Sequence, residues 1–424
     1  MGEQKTQLTE TQQCFLDILK SVFTHQDIGK LLPAEDSYYA PLIRMAQTQH
    51  LSSLLYAYIH EYHSDDCPMK WKQIIEQQGK QVILVNYRLW QQTLHIYHLL
   101  EANHIPCIVL KGPSLASYYE IPELRKAGDV DIWVYQPNSL ASKGEVFFGP
   151  VFQRIEQIMS ADGYQMTANE HSNYHKVFEK QGMGEVEVHS SWVDRFPMDS
   201  MNRDIAELAE MAYDRAKPLD VFEDNKVLVL SEEDQACHML LHMLQHYMMK
   251  GFGLKFLCDW TAFWSHKPEE NVYYRFLEMV SKWHLETFVS HITSICVEYL
   301  GLDEQAASPL IQVEIDRTVC VELLVEMFES GEFGKTEEGR MVALEGIGPF
   351  ELFKEVHFQM KRNHGNRARN PWLWPYLWLI TLFGFMWNNH RVRNVSTWKI
   401  LRSAGQRARV RRKMKLFKDV SKYE

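Results

Sequence analysis

The sequence predicts an α+β fold: a small mixed sheet with its helices, embedded in mainly helical N- and C-terminal regions. Three observations predict it. Apolar residues recur at helical spacing through the first hundred residues and again beyond residue 231. Between those regions, short β-branched runs alternate with turn signals. One of these runs holds two acidic residues two positions apart, Asp129 and Asp131, which a strand would present side by side on one face.

The elements follow in order. Thr9-Glu10-Thr11 is a helix-start signal, and Phe15, Ile18, Leu19 and Phe23 continue it, giving a helix within 8–31. Residues 38–62 carry two helical runs separated at Gln47–His50. Pro68 can open one long helix over 68–103. Ile105–Leu110 reads as a buried strand, 113–119 as a short helix, Gly128–Val134 as the acidic strand and 136–149 as a loop. A helix over 151–162 ends at Gly163, and His175–Glu179 and Glu185–Ser190 read as two strands. After a helix over 204–216 and a hairpin-like piece near 218–230, helices are predicted over 232–250, 254–265, 271–299, 308–330 and 350–360.

The 424 residues, 46% hydrophobic and 24% charged, have ordinary globular composition. Four segments are expected: a helical region over 1–103, an α/β core over 104–230, a helical domain completing the cleft over 231–360, and an apolar, Trp-rich segment with a basic tail over 361–424. The net charge of −10 argues against nonspecific nucleic-acid binding by the body. The charge is uneven. Residues 361–424 hold 16 Lys/Arg against 2 Asp/Glu, a net of +14, whereas the first 360 residues hold 29 against 53, a net of −24. Seven scattered cysteines without a CxxC indicate buried thiols rather than a zinc site or a disulfide framework. The polar N-terminus lacks the apolar run of a signal peptide and matches the myristoylation pattern only formally. The expected location is cytoplasmic.

Residues 371–387, PWLWPYLWLITLFGFMW, are the most apolar stretch. As a helix it spans about 25 Å, short of the ~20 residues that a crossing needs. Trp372, Trp374, Trp378 and Trp387, with Lys361, Arg362, Arg367 and Arg369 before and Arg391 and Arg393 after, suit an anionic membrane surface. The alternative is a helix closing the core of a large helical domain. Arg407, Arg409, Arg411, Arg412, Lys413 and Lys415 make the tail basic.

Two carboxylates held side by side repel unless a cation lies between them. Asp129 and Asp131 therefore read as a divalent-metal site, against the plain alternative of a solvated strand end. Transfer of a nucleotidyl group needs such carboxylates for Mg²⁺, a close-approaching glycine turn at a helix start for the β- and γ-phosphates, and a third carboxylate from a neighbouring strand. Gly112 and Ser114 supply the turn, Lys111 and Arg125 the nearby cations, and Glu187 the third carboxylate, with Glu185 on the same face as its rival. Pro113 removes one backbone donor from the turn. His189 shares the face of Glu187. His238, His242 and His246 align at i, i+4, i+8 and read either as ligands or as histidines packed between helices. His171, Tyr174 and His175 join no constellation.

The order G-x-S, DxD and a later acidic strand resembles the polymerase-β-like nucleotidyltransferase fold. More narrowly, LKGPSLASYYEIPELRKAGDVDIWV resembles an uncharacterised bacterial nucleotidyltransferase family with the signature LKG…Y…P…R…DxDLLV. Leu110, Lys111, Gly112, Tyr119, Pro122, Arg125, Asp129 and Asp131 match it. Glu187-Val188-His189 match the family's later acidic-hydrophobic-His element, with Glu where Asp is commoner, and HMLLHMLQHYMMKGFGLKFLCDW resembles its His-rich helix and Leu-rich segment ending in Asp. The resemblance implies transfer of an NMP from an NTP, with ATP the first expectation, to a hydroxyl acceptor, using Mg²⁺ or Mn²⁺. It also implies that His242 and His246 line the cleft and that Lys255 and Asp259 face the nucleotide. Two rival readings remain: a catalytically weak nucleotide-binding regulatory protein of the toxin–antitoxin kind, and a membrane-surface protein of polysaccharide biosynthesis.

Overall fold

In the computed structural model, the Thr9 hydroxyl accepts from the Gln12 N–H while the Gln12 side chain accepts from the Thr9 N–H. This capping box opens α1 (Glu10–Thr24). The structure describes residues 7–28, 36–136, 149–167, 174–331 (197, 223–224 and 250 excepted), 370–391 and single positions between 353 and 416. The N-terminal MGEQKT, the loop 137–148, His171, most of the predicted 350–360 helix and the tail residues Arg407, Arg409, Arg411, Arg412 and Lys415 lie outside the described residues.

Helices α2 (Asp36–Thr48), α3 (Ser52–Tyr62) and the long α4 (Met69–Ala102) follow. The chain then enters β1 (Cys107–Val109), turns at Gly112 into α5 (Pro113–Ala116) and a 3-10 turn (Pro122–Leu124), and returns as β2 (Val130–Val134). Next come α6 (Pro150–Ala161), β3 (Gln165–Met166), β4 (His175–Glu179), β5 (Val186–His189), α7 (Asp199–Arg215), β6 (Lys217–Phe222) and β7 (Asn225–Val229). The described elements that follow are helices: α8 (Glu232–Met249), α9 (Leu254–Ser265), α10 (Glu270–Lys282), α11 (Glu286–Ile295), α12 (Glu304–Ala307), α13 (Arg317–Ser330) and α14 (Trp374–Arg391).

Among the described residues, seven strands form one mixed sheet in the order β3-β4-β5-β2-β1-β7-β6. At its centre β2 runs antiparallel to β1 and parallel to β5, in a register that sets Asp131 opposite Glu187. Val130, Ile132 and Val134 of β2 turn into a core shared with α4 and α6. Trp133 turns to the opposite face, into the larger core beneath α8. That larger core also takes in α1, α2 and α3, so the N-terminal helices share their interior with the helices after residue 230. Gln49 ties the two ends together. Its amide donates to the Met327 carbonyl at 3.1 Å and its oxygen accepts from the Leu254 N–H at 2.9 Å.

Several elements differ from the sequence reading. The single helix expected over 271–299 is two, α10 and α11, broken at Trp283–Leu285. The expected 308–330 helix begins at Arg317, capped by Asp316. The helix expected over 113–119 ends at Ala116, and the strand expected over 105–110 is confined to 107–109. The break in α10–α11 belongs to a repeated device. At the ends of α2, α4 and α10, His50, His104 and His284 adopt left-handed backbone with φ of 56°, 57° and 55°. The N–H of the next residue (Leu51, Ile105, Leu285) reaches back to the carbonyl of Ala46, Leu100 or Val280 at 2.8, 3.0 and 3.0 Å. The side chain of that residue is buried in each case. This is the Schellman closure with histidine where glycine is usual.

The apolar C-terminal helix has two faces. Trp374, Leu377, Trp378 and Thr381 pack inward. The Trp374 Nε1 donates to the Ala368 carbonyl at 2.7 Å and the Trp378 Nε1 to His357 Nδ1 at 3.1 Å. Tyr376, Leu379 and Phe383, with Trp372 in the preceding turn, face outward and are exposed. No described helix is long and apolar enough to cross a membrane. The chain later rejoins the body, where Val410, Met414 and Leu416 enter the main core and Lys413 Nζ lies 3.5 Å from Glu322.

Candidate active site

Strand geometry builds the site. Asp129 stands just before β2 and Asp131 one pleat on, while Glu187 enters from the neighbouring parallel strand. Ligand oxygens of Asp129, Asp131 and Glu187 all lie within 4.8 Å of one another. Asp131 is buried, and its Oδ2 has no hydrogen-bond partner. Lys111 Nζ lies 2.6 Å from Asp131 Oδ1, and His189 Nε2 lies 3.1 Å from the same oxygen and 3.3 Å from Glu187 Oε2.

These contacts divide the carboxylates. Burial and the neighbouring Asp131 charge push the Asp129 carboxyl up to about 7. Burial works against the charge of Asp131 too, yet the Lys111 ammonium and the His189 hydrogen bond hold it well below the usual carboxylate range. Glu187, also partly desolvated, is held low chiefly by its bond from His189. His189 is raised despite burial, because it bonds both carboxylates. Lys111, partly exposed, is held above its ordinary value by Asp131, Asp129 and Glu187. Two carboxylates are thus held as anions by the Lys111 ammonium and the His189 hydrogen bonds, and the third, pushed up to about 7, sits beside them. Three hard oxygen donors, one of them a buried orphan, fit a divalent cation.

The turn that precedes α5 explains its glycine. Gly112 has φ of 62° and ψ of −119°, a backbone unsuited to a side chain. Pro113 takes the first helical position, where its missing N–H costs least. Both donors of Ser114 are committed inside the protein. Its N–H bonds the Lys111 carbonyl at 3.2 Å, and its hydroxyl donates to Gln235 Oε1 on α8 at 3.0 Å. Arg125 is likewise engaged: its Nε and Nη2 donate to Asp259 Oδ1 and Oδ2 at 2.7 and 2.8 Å, and the Tyr119 hydroxyl donates to Asp259 Oδ1 at 2.8 Å. Arg125 and Asp259 therefore pair with each other across the base of the site. Lys255, half-buried in the first turn of α9, adds its positive field to Asp129.

A narrow crevice with room for about 10 Å³ lies beside Lys111, between Leu115, His238, His242, Met243 and Phe256. The aligned histidines sit here. His238 and His242 stack with centroids 5.9 Å apart, and His242 Nε2 lies 3.1 Å from His246 Nε2. Burial lowers His238 to about 3 and His242 well below its ordinary value, so both are neutral imidazoles. Both are packed between helices and line this crevice.

The sequence reading missed several participants. His175, set aside there, pairs with His189 across β4 and β5 and brings Nε2 within 3.8 Å of Glu187 Oε1. The Tyr174 ring lies against His175 and His189, and its hydroxyl accepts from Gln245 at 3.0 Å. Asn86 on α4 was passed over. Its amide donates to the Glu123 and Arg125 carbonyls at 2.7 and 2.9 Å, and its oxygen accepts from the Ala127 N–H at 2.9 Å, holding the loop that leads to Asp129. A lone buried Asn on an apolar helix face was the available signal.

The mixed seven-stranded sheet with helices at both ends is consistent with a nucleotidyltransferase fold. The chain matches the model of the uncharacterised nucleotidyltransferase family over residues 39–301, more than half its length, and belongs to that family. A search of curated proteins found no match.

Proposed function

We propose that the protein transfers an NMP from an NTP, with ATP the first candidate, to a hydroxyl acceptor, dependent on Mg²⁺ or Mn²⁺ held by Asp129, Asp131 and Glu187. The observation that carries this is the convergence of those three carboxylates from two adjacent strands, with a buried Asp131 oxygen unpartnered. A divalent cation there would neutralise phosphate oxygens and favour the ionised acceptor. The chain's own residues do the rest. Glu187, anionic and beside the cleft, takes the acceptor's proton. The acceptor oxygen bonds the α-phosphorus as the bond to pyrophosphate breaks, and pyrophosphate leaves. His189 keeps Asp131 and Glu187 in register. Lys111 and Lys255 meet phosphate charge. Gly112 and Ser114 form the turn toward the β- and γ-phosphates, Ser114 exchanging Gln235 for the ligand. Arg125 acts through Asp259, fixing the loop on which Asp129 stands. The proposed location is cytoplasmic, with a peripheral place at the inner membrane face held by 371–424.

The catalytically weak regulatory reading rests on the turn, where Pro113 and the committed donors of Ser114 leave few groups for phosphates. Binding of Mn²⁺–ATP, followed by the Mn²⁺ paramagnetic signal, tests the metal site without knowledge of the acceptor. Wild-type protein is expected to bind, and Asp131→Asn to bind on the order of a hundredfold more weakly. Equal binding by Asp131→Asn refutes the assignment. Pyrophosphate release by wild type given Mg²⁺–ATP and candidate hydroxyl acceptors, lost in Asp131→Asn, would distinguish a transferase from a protein that only binds the nucleotide.

A further inference from the structure

From Trp374 to Trp387 the sequence of α14 carries no charged residue on any face. From Asn370 to His390 the sequence has no Asp, Glu, Lys or Arg. A helix lying on a water-soluble body normally turns charged side chains outward. Here the inward face, Trp374, Leu377, Trp378 and Thr381, already packs against His357, Met360, His364 and Ala368. The opposite face is equally apolar. Trp372 is 91% exposed, Leu379 68% and Tyr376 63%, and at 100° per residue all three fall on one side with Phe383. Exposed large apolar side chains elsewhere are scattered, whereas here they form one continuous strip.

Charge selects the occupant. Lys361, Arg362, Arg367 and Arg369 precede the strip, and Arg391, Arg393 and Lys399 follow it. Of these, Lys361 and Arg367 are exposed beside the strip, and the sequence is basic on both flanks, complementary to a surface that is apolar below and anionic at its rim. Trp and Tyr along the strip match the water–lipid boundary. The helix does not meet the requirements for a crossing. We propose that α14 lies in the plane of an anionic bilayer surface, inserting Trp372, Tyr376, Leu379 and Phe383, while Trp374, Leu377 and Trp378 stay on the protein. The assignment stands apart from the catalytic reading, since none of these residues belongs to the site at β2 and β5. It also orients the molecule, because the first 360 residues carry a net −24 and would be repelled by the same surface.

The test is flotation of the full-length protein with phosphatidylcholine vesicles, with and without phosphatidylglycerol, at low and high salt. Wild type is expected to float with the anionic vesicles, less so in high salt, and little with phosphatidylcholine alone. Trp372→Ser/Tyr376→Ser/Leu379→Ser, which changes only outward-facing side chains, should bind anionic vesicles roughly a hundredfold more weakly or worse, with an unchanged melting temperature and unchanged Mn²⁺–ATP binding. Three results overturn the proposal: wild type that does not float with anionic vesicles; a triple variant that floats as well as wild type, which would leave binding to the basic tail alone; and a wild-type dimer by light scattering that the triple variant abolishes without any change in flotation, which would make a second copy the cover of this face.

Discussion

Removing the guanidinium of Arg125 isolates a buried charge. In Arg125→Ala, Asp259, only 9% exposed, loses hydrogen bonds of 2.7 and 2.8 Å and keeps the one from Tyr119. Breaking one side of a buried, hydrogen-bonded pair costs about 3–5 kcal/mol, a large share of the ~5–15 kcal/mol that holds a typical domain together. Asp259→Ala should cost about as much, since it strands a guanidinium that is 5% exposed. Arg125→Met/Asp259→Met removes both charges; the Tyr119 hydroxyl loses its acceptor, at about 1–3 kcal/mol, and the Gly112 carbonyl its long 3.5 Å bond from Arg125. The double variant should therefore be more stable than either single one. A double-mutant cycle by urea unfolding, followed by far-UV circular dichroism, should return a coupling energy of at least about 3 kcal/mol. The pair also anchors the loop that delivers Asp129, so the double variant should regain stability but not Mn²⁺–ATP affinity. Additive single costs, or an Arg125→Ala cost below about 1 kcal/mol, would refute the reasoning.

Other predictions follow from single contacts. Asn86→Ala strands the Ala127 N–H and two carbonyls; it should cost about 2–4 kcal/mol in urea unfolding and weaken Mn²⁺–ATP binding through the same loop. Gly112→Ala meets no neighbouring atom, so its cost is purely that of holding φ near 62°; a loss of about 1–3 kcal/mol is expected in thermal unfolding. His238 is buried and neutral, with its folded value lowered to about 3. Its contribution is intact above about pH 6.5, where both states are neutral. It declines as pH falls toward 3, because only the unfolded chain takes up the proton, at about 1.4 kcal/mol per pH unit. The loss of stability between pH 7 and pH 5 should therefore be smaller by about 2 kcal/mol in His238→Gln than in wild type; equal slopes would contradict the assignment.

What could be read from the chain was what is local. The period of two around Asp129 and Asp131 placed both carboxylates on one face, and the alternation of Glu187 with Val186 and Val188 gave the third. Their meeting depends on a β2–β5 pairing across more than fifty residues, which only the motif order suggested. The partners of Ser114, Arg125 and Glu187 were hidden for the same reason. Gln235 and His175 come from other elements, and nothing in their own neighbourhoods marks them; Asp259 was marked only by the family resemblance, which implied the nucleotide rather than Arg125 as its partner. Helix ends failed for a different cause. The apolar period runs unbroken through Trp283, His284 and Leu285, and the residue that stops α10 is not glycine, asparagine or proline. The exposure of the outer face of α14 was beyond sequence, because its two faces are alike in composition.

The three histidine closures carry one more consequence. Glycine at His50, His104 or His284 would remove the crowding of a side chain from left-handed backbone while giving the unfolded chain more freedom. The first effect is the larger, leaving a gain of about 0.5–1 kcal/mol per position. His104 and His284 are solvent-exposed and lie on different helices, so their effects should simply add. The molecule thus holds a reserve of stability outside its active site and its core, in the joints between helices.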